Sequence, residues 1–377
     1  MTDRFARLRL IRTEGVGPQT YRRLLARFET PEAALDALPA IARAGGRARP
    51  PAIPNPGDIR RELDRHEKLG ATLIFLGDSD YPPLLALLPD APPLLAVRGD
   101  ISLLSKPMVA VVGARNASAS GRRIAEDISA ELAASGRPVV SGLARGIDAA
   151  AHEAALRAGT TIAAIPGGMD VVYPPEHKDL QARIAEAGVV VAEAPPGTAP
   201  LARHFPKRNR IIAGLALGVV VIEAALRSGS LLTARYALDY GRELFAVPGS
   251  PLDPRARGGN DLIRQGAHLT ETAADVLLNL PDQPGALFAG ARIVPAPAGF
   301  AEPPAMTGSG VDPEPDELDF ARRQVPGLLS TTPLAVDEIA RHCQFSAATL
   351  AAILTELELA GRIETLPGNR VGLLPAP

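Results

Sequence analysis

Short apolar runs alternate with amphipathic segments between residues 108 and 247. The apolar runs have strand length and occur at 108–112, 139–140, 161–165, 189–192, 218–222 and 244–247. Most segments between them repeat apolar residues at helical spacing, as in Ile124-Ile128-Leu132. Such alternation predicts an α/β fold with a mostly parallel sheet that is covered by helices on both faces. Ligands of such folds bind beyond the carboxyl ends of the strands.

One segment of this region carries dense positive charge. Residues 203–210 contain four permanent cations and no acid, and the run continues into the apolar stretch Leu215 to Ile222. The whole chain has a formal net charge of −2, so this charge is local. Cations held on a buried element are costly unless they meet an anion. The pattern therefore predicts a partner that carries phosphate.

Composition excludes several other classes of protein. The single cysteine, Cys343, excludes a disulfide framework and a cysteine-rich metal site. It lies in an apolar helical pattern and is predicted to be a small buried residue. The N-terminal residues lack the apolar core of a signal peptide, and no apolar run is long enough to span a bilayer. We therefore expect a soluble, cytoplasmic protein that does not bind membranes.

Polar and glycine-rich turns follow several of the predicted strands. Arg115 follows the first, Ser141-Gly142-Leu143-Ala144-Arg145-Gly146 the second, and Ser228-Gly229-Ser230 lies shortly after the fifth. Guanidinium groups and the N–H groups of such turns bind phosphate. The fingerprint glycines of dinucleotide-binding proteins and the P-loop motif are both absent from the sequence, so we expect no nucleotide cofactor.

The sequence offers few candidates for catalysis. His152 and His204 are candidate general bases, but the helical pattern around His152 favours a structural role. Asp148 is predicted to be a helix N-cap rather than a catalytic carboxylate. Glu193 and Glu223 each end a strand, and a catalytic role for them is the less favoured interpretation. Neither a catalytic triad nor a metal-ligand spacing is present, so we predict no catalytic residue and no metal.

The segments before this region predict a small helical domain over residues 1–70 and an edge extension of the sheet over 71–100. Within the first, Gly15-Val16-Gly17 resembles the turn of a helix-hairpin-helix, whose N–H groups can face a phosphate. Glu14 opposes an anion at that place, which slightly favours a simple packing turn. With its extension, the α/β domain is predicted to cover residues 71–280.

The C-terminal part predicts a linker and a winged helix. Residues 281–318 are rich in proline and glycine and have no periodicity. In 319–377, two short helices precede two strand-like segments, which is a winged-helix pattern. The second helix has no basic residue and carries Glu356 and Glu358, so we predict that it does not read duplex DNA. We expect it to serve as a protein contact or packing module.

Several motifs occur together and in order between residues 70 and 280. They are YPPLLALLPDAPPLLAVRGD at 81–100, VGAR at 112–115, SGLARGID at 141–148, FPKRNRIIAG at 205–214, SGSLLTARYA at 228–237, FAVPGS at 245–250 and GGNDLIRQGA at 258–267. Together they resemble the DNA-processing protein A family, known as DprA or Smf. The helical N-terminal segment and the winged-helix tail are similar to accessory domains of many members.

The resemblance implies a Rossmann-like, doubly wound domain that binds single-stranded DNA without a cofactor. It also implies a homodimer that protects incoming DNA and loads the RecA recombinase during natural transformation. Family members often have another residue at the position of Lys207. Matched by position, the candidate DNA-binding residues are Arg115, Ser141, Gly142, Arg145, Gly146, Lys207, Arg208, Asn209, Arg210, Ser228, Gly229 and Ser230.

Two other functions remain open at this point. The turn Pro166-Gly167-Gly168 is similar to the signature of lysine-decarboxylase-like phosphoribohydrolases, which would make the protein a nucleotide-processing enzyme. The Gly-Thr and the glutamate that complete that signature are missing here, which disfavours hydrolysis. A duplex-binding regulator is suggested by the winged helix alone and is disfavoured by the acidic second helix.

Overall fold

In a computed structural model of the chain, the described residues are 2–281, 315–343, 345–366 and 369–374, apart from the side chains of residues 2, 315 and 316. They form two compact units. One contains the residues up to Leu63 together with the described C-terminal residues, and the other begins at Asp64. Most of the predicted linker, 281–318, lies outside the described residues.

The unit that begins at Asp64 is built on a nine-stranded sheet with the strand order β1-β2-β6-β5-β4-β3-β7-β8-β9. Pairs from β3 to β9 are parallel, whereas β1 pairs with β2, and β2 with β6, in antiparallel fashion. The strands are β1 Thr72–Phe75, β2 Leu94–Gly99, β3 Val109–Gly113, β4 Val139–Ser141, β5 Thr161–Ile165, β6 Val189–Ala192, β7 Gly218–Ile222, β8 Glu243–Ala246 and β9 His268–Leu269.

Helices cover both faces of this sheet. Val109 and Val111 of β3 belong to one buried apolar cluster, while Ala110 and Val112 belong to another, as the two-residue period of a strand requires. The predicted α/β class with a mostly parallel sheet is confirmed, and the segment predicted as an edge extension forms β1 and β2, whose antiparallel pairing the sequence did not predict. The helices are α4 Pro56–Lys68, which starts in the other unit, α5 Pro83–Ala86, α6 Ala119–Ala134, α7 Ile147–Ala158, α8 Lys178–Ala187, α9 His204–Leu215, α10 Ser230–Asp239, α11 Arg257–Arg264 and α12 Ala273–Asn279. Two short 3-10 helices lie at Ile101–Ser105 and Pro175–His177.

The other unit contains three N-terminal helices and a winged helix. The helices are α1 Thr2–Ile11, α2 Pro18–Arg27 and α3 Pro31–Ala44. The winged helix comprises α13 Pro315–Leu328, β10 Leu334–Ala335, α14 Val336–Cys343, α15 Ala347–Leu359, β11 Ile363–Leu366 and β12 Arg370–Leu373. The predicted helix-turn-helix and hairpin are confirmed, and Cys343 is buried as predicted. Helix α13 begins before residue 319, inside the segment predicted to be linker.

The winged helix packs directly on the N-terminal helices. Leu359, the last residue of α15, is fully buried within the apolar cluster formed by α1, α2 and α3. A Cβ placed on Gly45 would lie only 2.0 Å from the carbonyl oxygen of Glu356, so α3 ends against the backbone of α15. The packing role predicted for the winged helix is present within this unit. Among the described residues, no helix is both long and apolar enough to cross a membrane.

Candidate nucleic-acid interface

A cleft of about 570 Å³ opens beyond the carboxyl ends of β3 and β7. We call it the arginine-lined cleft, because four arginines and a single acid, Asp148, face it among the described residues. Its position agrees with the rule for ligand sites in parallel sheets. The lining residues are Val112, Gly113, Ala114, Arg115, Asn116, Ala144, Asp148, Phe205, Arg208, Asn209, Ile212, Ala225, Arg227, Ser228, Gly229, Ser230, Thr233 and Arg255.

Arg208 lies at the floor of the cleft on helix α9. It is only 5% exposed, and its Nη1 is 3.7 Å from Oδ2 of Asp148. Nε and Nη1 of Arg208 have no hydrogen-bond acceptor among the described residues. Burial lowers the pKa of Arg208, and the charge of Asp148 counteracts this effect. A buried guanidinium with unsatisfied donors is costly, so this position favours an anionic ligand that supplies acceptors.

Gly142 makes room for this guanidinium. A Cβ at position 142 would lie 1.1 Å from Nη1 of Arg208, so only glycine fits beside it. The N–H groups of Gly142 and Ala144 donate to Oδ2 of Asp148 at 3.1 and 3.3 Å. The sequence suggested that this turn offers its N–H groups to phosphate, but in the structure these two are already bonded to Asp148.

Asp148 is not the N-cap that its position suggested. Helix α7 begins at Ile147 with Gly146 as its N-cap, so Asp148 lies in the first helical turn and bonds back to the preceding loop. Burial raises the pKa of Asp148, whereas Arg208 and the two loop N–H groups lower it. Gly146 has φ +78°, and a Cβ there would lie 2.2 Å from the carbonyl oxygen of Ala114. Gly146 therefore packs against the loop that follows β3, and it is not among the residues that line the cleft.

Two other predicted residues have structural contacts. Ser141 is fully buried, and its hydroxyl donates to the carbonyl oxygen of Val111 at 2.7 Å. Arg210 donates to the Asp90 carbonyl oxygen, and its Nη2 is 2.6 Å from Oε1 of Glu193. Arg210 is buried and does not line the cleft. Residues that are two positions apart on a helix lie on different faces. Arg208 and Arg210 therefore point to different surroundings.

Aromatic rings stand beside the arginines at the rim of the cleft. The guanidinium of Arg115 lies over the ring of Phe205 at 4.9 Å from its centroid, and that of Arg208 at 5.8 Å. Tyr173 meets Phe205 edge to face at 5.8 Å and is 41% exposed. Aromatic residues make up only 4% of the chain, which by itself argues against extensive stacking platforms. The signal that we missed is local, because Phe205 stands inside the basic run itself.

The start of helix α10 forms another wall. Ser228 and Ser230 share a hydrogen bond of 2.7 Å between their hydroxyls, and Asn209 donates to the Gly229 carbonyl oxygen at 3.3 Å. Gly229 is the N-cap of α10, so the positive end of this helix is directed at the cleft. All four of these predicted residues line it.

Two lining arginines were not predicted. Arg227 is exposed and immediately precedes the Ser-Gly-Ser motif, so its position in the sequence could have predicted its place in the cleft lining. Arg255 lies in the loop after β8 and pairs with Asp253 at 2.8 Å. Nothing in the sequence near Arg255 indicates that this loop returns to the cleft.

The remaining predicted cations lie outside the lining of the cleft. Arg145 is exposed and forms an ion pair with Glu176. Lys207 is exposed on the first part of α9. Both are therefore surface charges next to the site rather than parts of its wall.

The candidate catalytic groups have structural partners. His152 is fully buried, with Nδ1 2.7 Å from the Thr161 hydroxyl and Nε2 accepting from Leu143 N at 3.3 Å. Burial lowers the pKa of His152 to about 3, which keeps the ring neutral. Glu223 accepts from Ser118 N at 2.8 Å, at the start of α6. The structural role predicted for His152 agrees with these contacts. Among the described residues, no group of histidines, cysteines and acids could hold a metal.

The fold and the cleft together define an α/β protein with an arginine-lined cleft at the carboxyl edge of a parallel sheet. Comparison of the sequence with models of protein families identifies the family of this chain. The model of the DNA recombination-mediator protein A family matches residues 72–281, and the chain belongs to that family. The models of a DprA-like N-terminal HHH domain and of a DprA winged helix domain match residues 1–64 and 311–369.

Curated relatives and solved structures agree with this assignment. Protein Smf of Synechocystis is 33% identical over 95% of both chains. DNA processing protein DprA of Streptococcus pneumoniae is 49% identical over 53% of this chain and 71% of its own. The X-ray structure of DprA from Streptococcus pneumoniae has a TM-score of 0.62 and 38% identity, over 74% of this chain and 99% of that one. A structure that addresses single-stranded DNA binding by DNA processing protein A of Helicobacter pylori has a TM-score of 0.51 and 30% identity. The match covers 56% of this chain and 99% of that chain.

Proposed function

We propose that this protein binds single-stranded DNA in the arginine-lined cleft and mediates recombination without catalysing a reaction of its own. The observation that carries the proposal is the buried Arg208 guanidinium, whose Nε and Nη1 lack an acceptor among the described residues at the floor of the cleft. A phosphodiester supplies the missing acceptor oxygens. The related Helicobacter protein, whose binding mode concerns single-stranded DNA, supports the same ligand class.

The rim favours a single strand over a duplex. Phe205 and Tyr173 form an aromatic pair next to Arg115, and unpaired bases stack on such rings regardless of sequence. In a duplex the base faces are covered, so only phosphate contacts would remain. We therefore expect weak sequence preference and a clear preference for single strands.

The test is a binding titration with a labelled oligothymidylate and a matched duplex. Arg115→Ala and Arg227→Ala should each weaken single-strand binding, because each removes an exposed cation from the lining of the cleft. We expect a loss of about three- to tenfold per variant at low salt, since these are single phosphate contacts. Arg123→Ala is the matched control, because Arg123 is an exposed arginine of the same unit that lies outside the cleft lining. Equal affinities for all three variants and the parent would exclude this cleft.

We further propose that the protein acts as a homodimer that protects incoming strands and loads RecA on them during natural transformation. Membership in the recombination-mediator family supports this proposal. The measurement is RecA-dependent strand exchange on DNA coated with a single-strand-binding protein, together with sedimentation of the free protein. If RecA filaments form at the same rate with and without this protein, the loading role is wrong.

A role as nucleotide hydrolase has less support. The strand-end acids Glu193 and Glu223 are engaged by Arg210 and Ser118. Asp148, the single carboxylate that lines the cleft among the described residues, already accepts two loop N–H groups. Incubation with nucleoside monophosphates should release no free base, and release that disappears in an Asp148→Asn variant would contradict the proposal.

A further inference from the structure

The turn before helix α2 has a carboxylate of the winged helix seated against it. Glu358 of α15 accepts a hydrogen bond from the Thr20 hydroxyl. Its Oε1 lies 3.5 Å from the position that a Cβ of Gly17 would occupy, and its Oε2 is 3.7 Å from Nη1 of Arg23. Glu358 is thus held where the Gly15-Val16-Gly17 turn, the start of α2 and an arginine meet.

This place has the features of an anion site. Gly17 is the N-cap of the ten-residue helix α2 and supplies no side-chain cap, so the first N–H groups of the helix need an acceptor from elsewhere. Nη1 of Arg23 is buried and has no hydrogen-bond acceptor among the described residues, despite its ion pair with Glu358. Gln19, which is 7% exposed, accepts from the other nitrogen of Arg23 and orients it.

The neighbouring acid does not oppose an anion there. Glu14 is 2.7 Å from Nη2 of Arg47 and accepts from Ala52 N at 3.2 Å. Arg47 also donates to the Leu359 carbonyl oxygen at 3.0 Å. The charge of Glu14 is therefore compensated by Arg47, which removes the sequence-based objection to an anion at this turn.

We propose that the turn before α2, with Thr20 and Arg23, is a binding site for a nucleic-acid phosphodiester, which Glu358 of the winged helix occupies in the closed form of this unit. A carboxylate and a phosphate share charge and acceptor geometry, so they compete for the same donors. The winged helix then controls access, because the end of α15 must leave the N-terminal helices before the site can bind a strand. This inference extends the proposed function but does not depend on the arginine-lined cleft.

The test uses the full chain and the Glu358→Gln variant, which keeps the size of the side chain and removes its charge. The probes are a labelled oligothymidylate and a labelled duplex, which distinguish single-stranded from double-stranded sources of phosphate. We expect affinity to rise about fivefold or more for at least one probe, since coupling between sites is typically of that size. The gain should shrink as salt rises.

Two further variants separate this site from a general charge effect. Glu364→Gln removes one acid from an exposed position of the same winged helix and should leave the affinity unchanged. Adding Arg23→Ala to Glu358→Gln should abolish the gain, because it removes the cation of the site. An equal gain from Glu364→Gln, or a gain that survives Arg23→Ala, would overturn the proposal.

A second way of opening the unit guards against a misfolded variant. Leu359→Ala loosens the apolar contact between α15 and the N-terminal helices and leaves Glu358 in place. It should also raise affinity for the probe that responds to Glu358→Gln. If both variants remain folded by circular dichroism and neither gains affinity, the site does not exist. Loss of single-strand binding in Arg115→Ala, measured in parallel, reports on the proposed function independently of this result.

Discussion

Neighbouring cations of the basic run have different roles, and the helix geometry explains the difference. Arg208 is at the floor of the cleft, and its Nε and Nη1 have no acceptor among the described residues. Arg210 is bonded to Glu193 and the Asp90 carbonyl oxygen. The sequence predicted the run as a phosphate site but could not assign these roles. The positions of the charges do not show which face of the helix each cation occupies. That depends on how helix α9 packs and on where it begins, which the structure shows to be His204.

Gly142→Ala should disrupt the cleft from within. A methyl group there would clash with the Arg208 guanidinium, which must move or push the loop away. We expect a loss of about 1–3 kcal/mol in the free energy of unfolding, together with weaker single-strand binding. Gly229→Ala is the control for stability, because no atom of the described residues lies within 4 Å of the added methyl group. Chemical unfolding and the oligothymidylate titration measure both effects, and a Gly142→Ala protein with unchanged stability would contradict the contact.

At the level of elements, apolar periodicity predicted the central sheet well. Strands β5, β6 and β7 have the predicted bounds, because fully buried parallel strands give uninterrupted apolar runs. Strand β9 was missed because a two-residue strand has no detectable period. The start of α13 was missed because the proline and acids there resemble the linker composition before it. Tertiary contacts, which decided both cases, leave no local signal.

Helix α15 should depend on its N-cap. The Ser346 hydroxyl accepts from Thr349 N at 3.0 Å, so it satisfies one of the N–H groups at the helix start. Ser346→Ala should cost about 1 kcal/mol, whereas Ser346→Gly should cost only a few tenths. Hydrogen exchange of the α15 amides measures this difference locally. Equal protection in both variants would show that the cap does not limit the stability of the helix.

For the whole molecule, the contrast between a nearly neutral chain and a basic cleft sets the expected salt response. The formal net charge is −2, so general attraction to DNA is absent and only local contacts contribute. The sequence anticipated this contrast from residues 203–210. It did not anticipate that the winged helix packs on the N-terminal helices, because contacts between distant segments leave no trace in either segment alone.

The salt dependence of single-strand binding should therefore be moderate. If Arg115, Arg208, Arg227 and Arg255 each neutralise one phosphate, the slope of log K against log salt is about −3 per chain. The double variant Arg115→Ala, Arg227→Ala should have about half that slope. Titrations at several salt concentrations give both values. A slope near zero for the parent protein would mean that binding does not depend on phosphate neutralisation.

In the proposed complex, the ion pair between Asp148 and Arg208 should shorten the time that a strand stays bound. A phosphate that approaches Arg208 meets a cation whose charge is already partly compensated by an internal acid at 3.7 Å. The net free energy of that contact is what Arg208 gains from phosphate minus what it loses from its interaction with Asp148. It is therefore smaller than the free energy of the same contact made by an arginine without an acidic partner. Small individual contacts break one at a time, which gives a short residence time for each nucleotide. Fast local release of this kind is what the proposed handover of a strand to RecA requires.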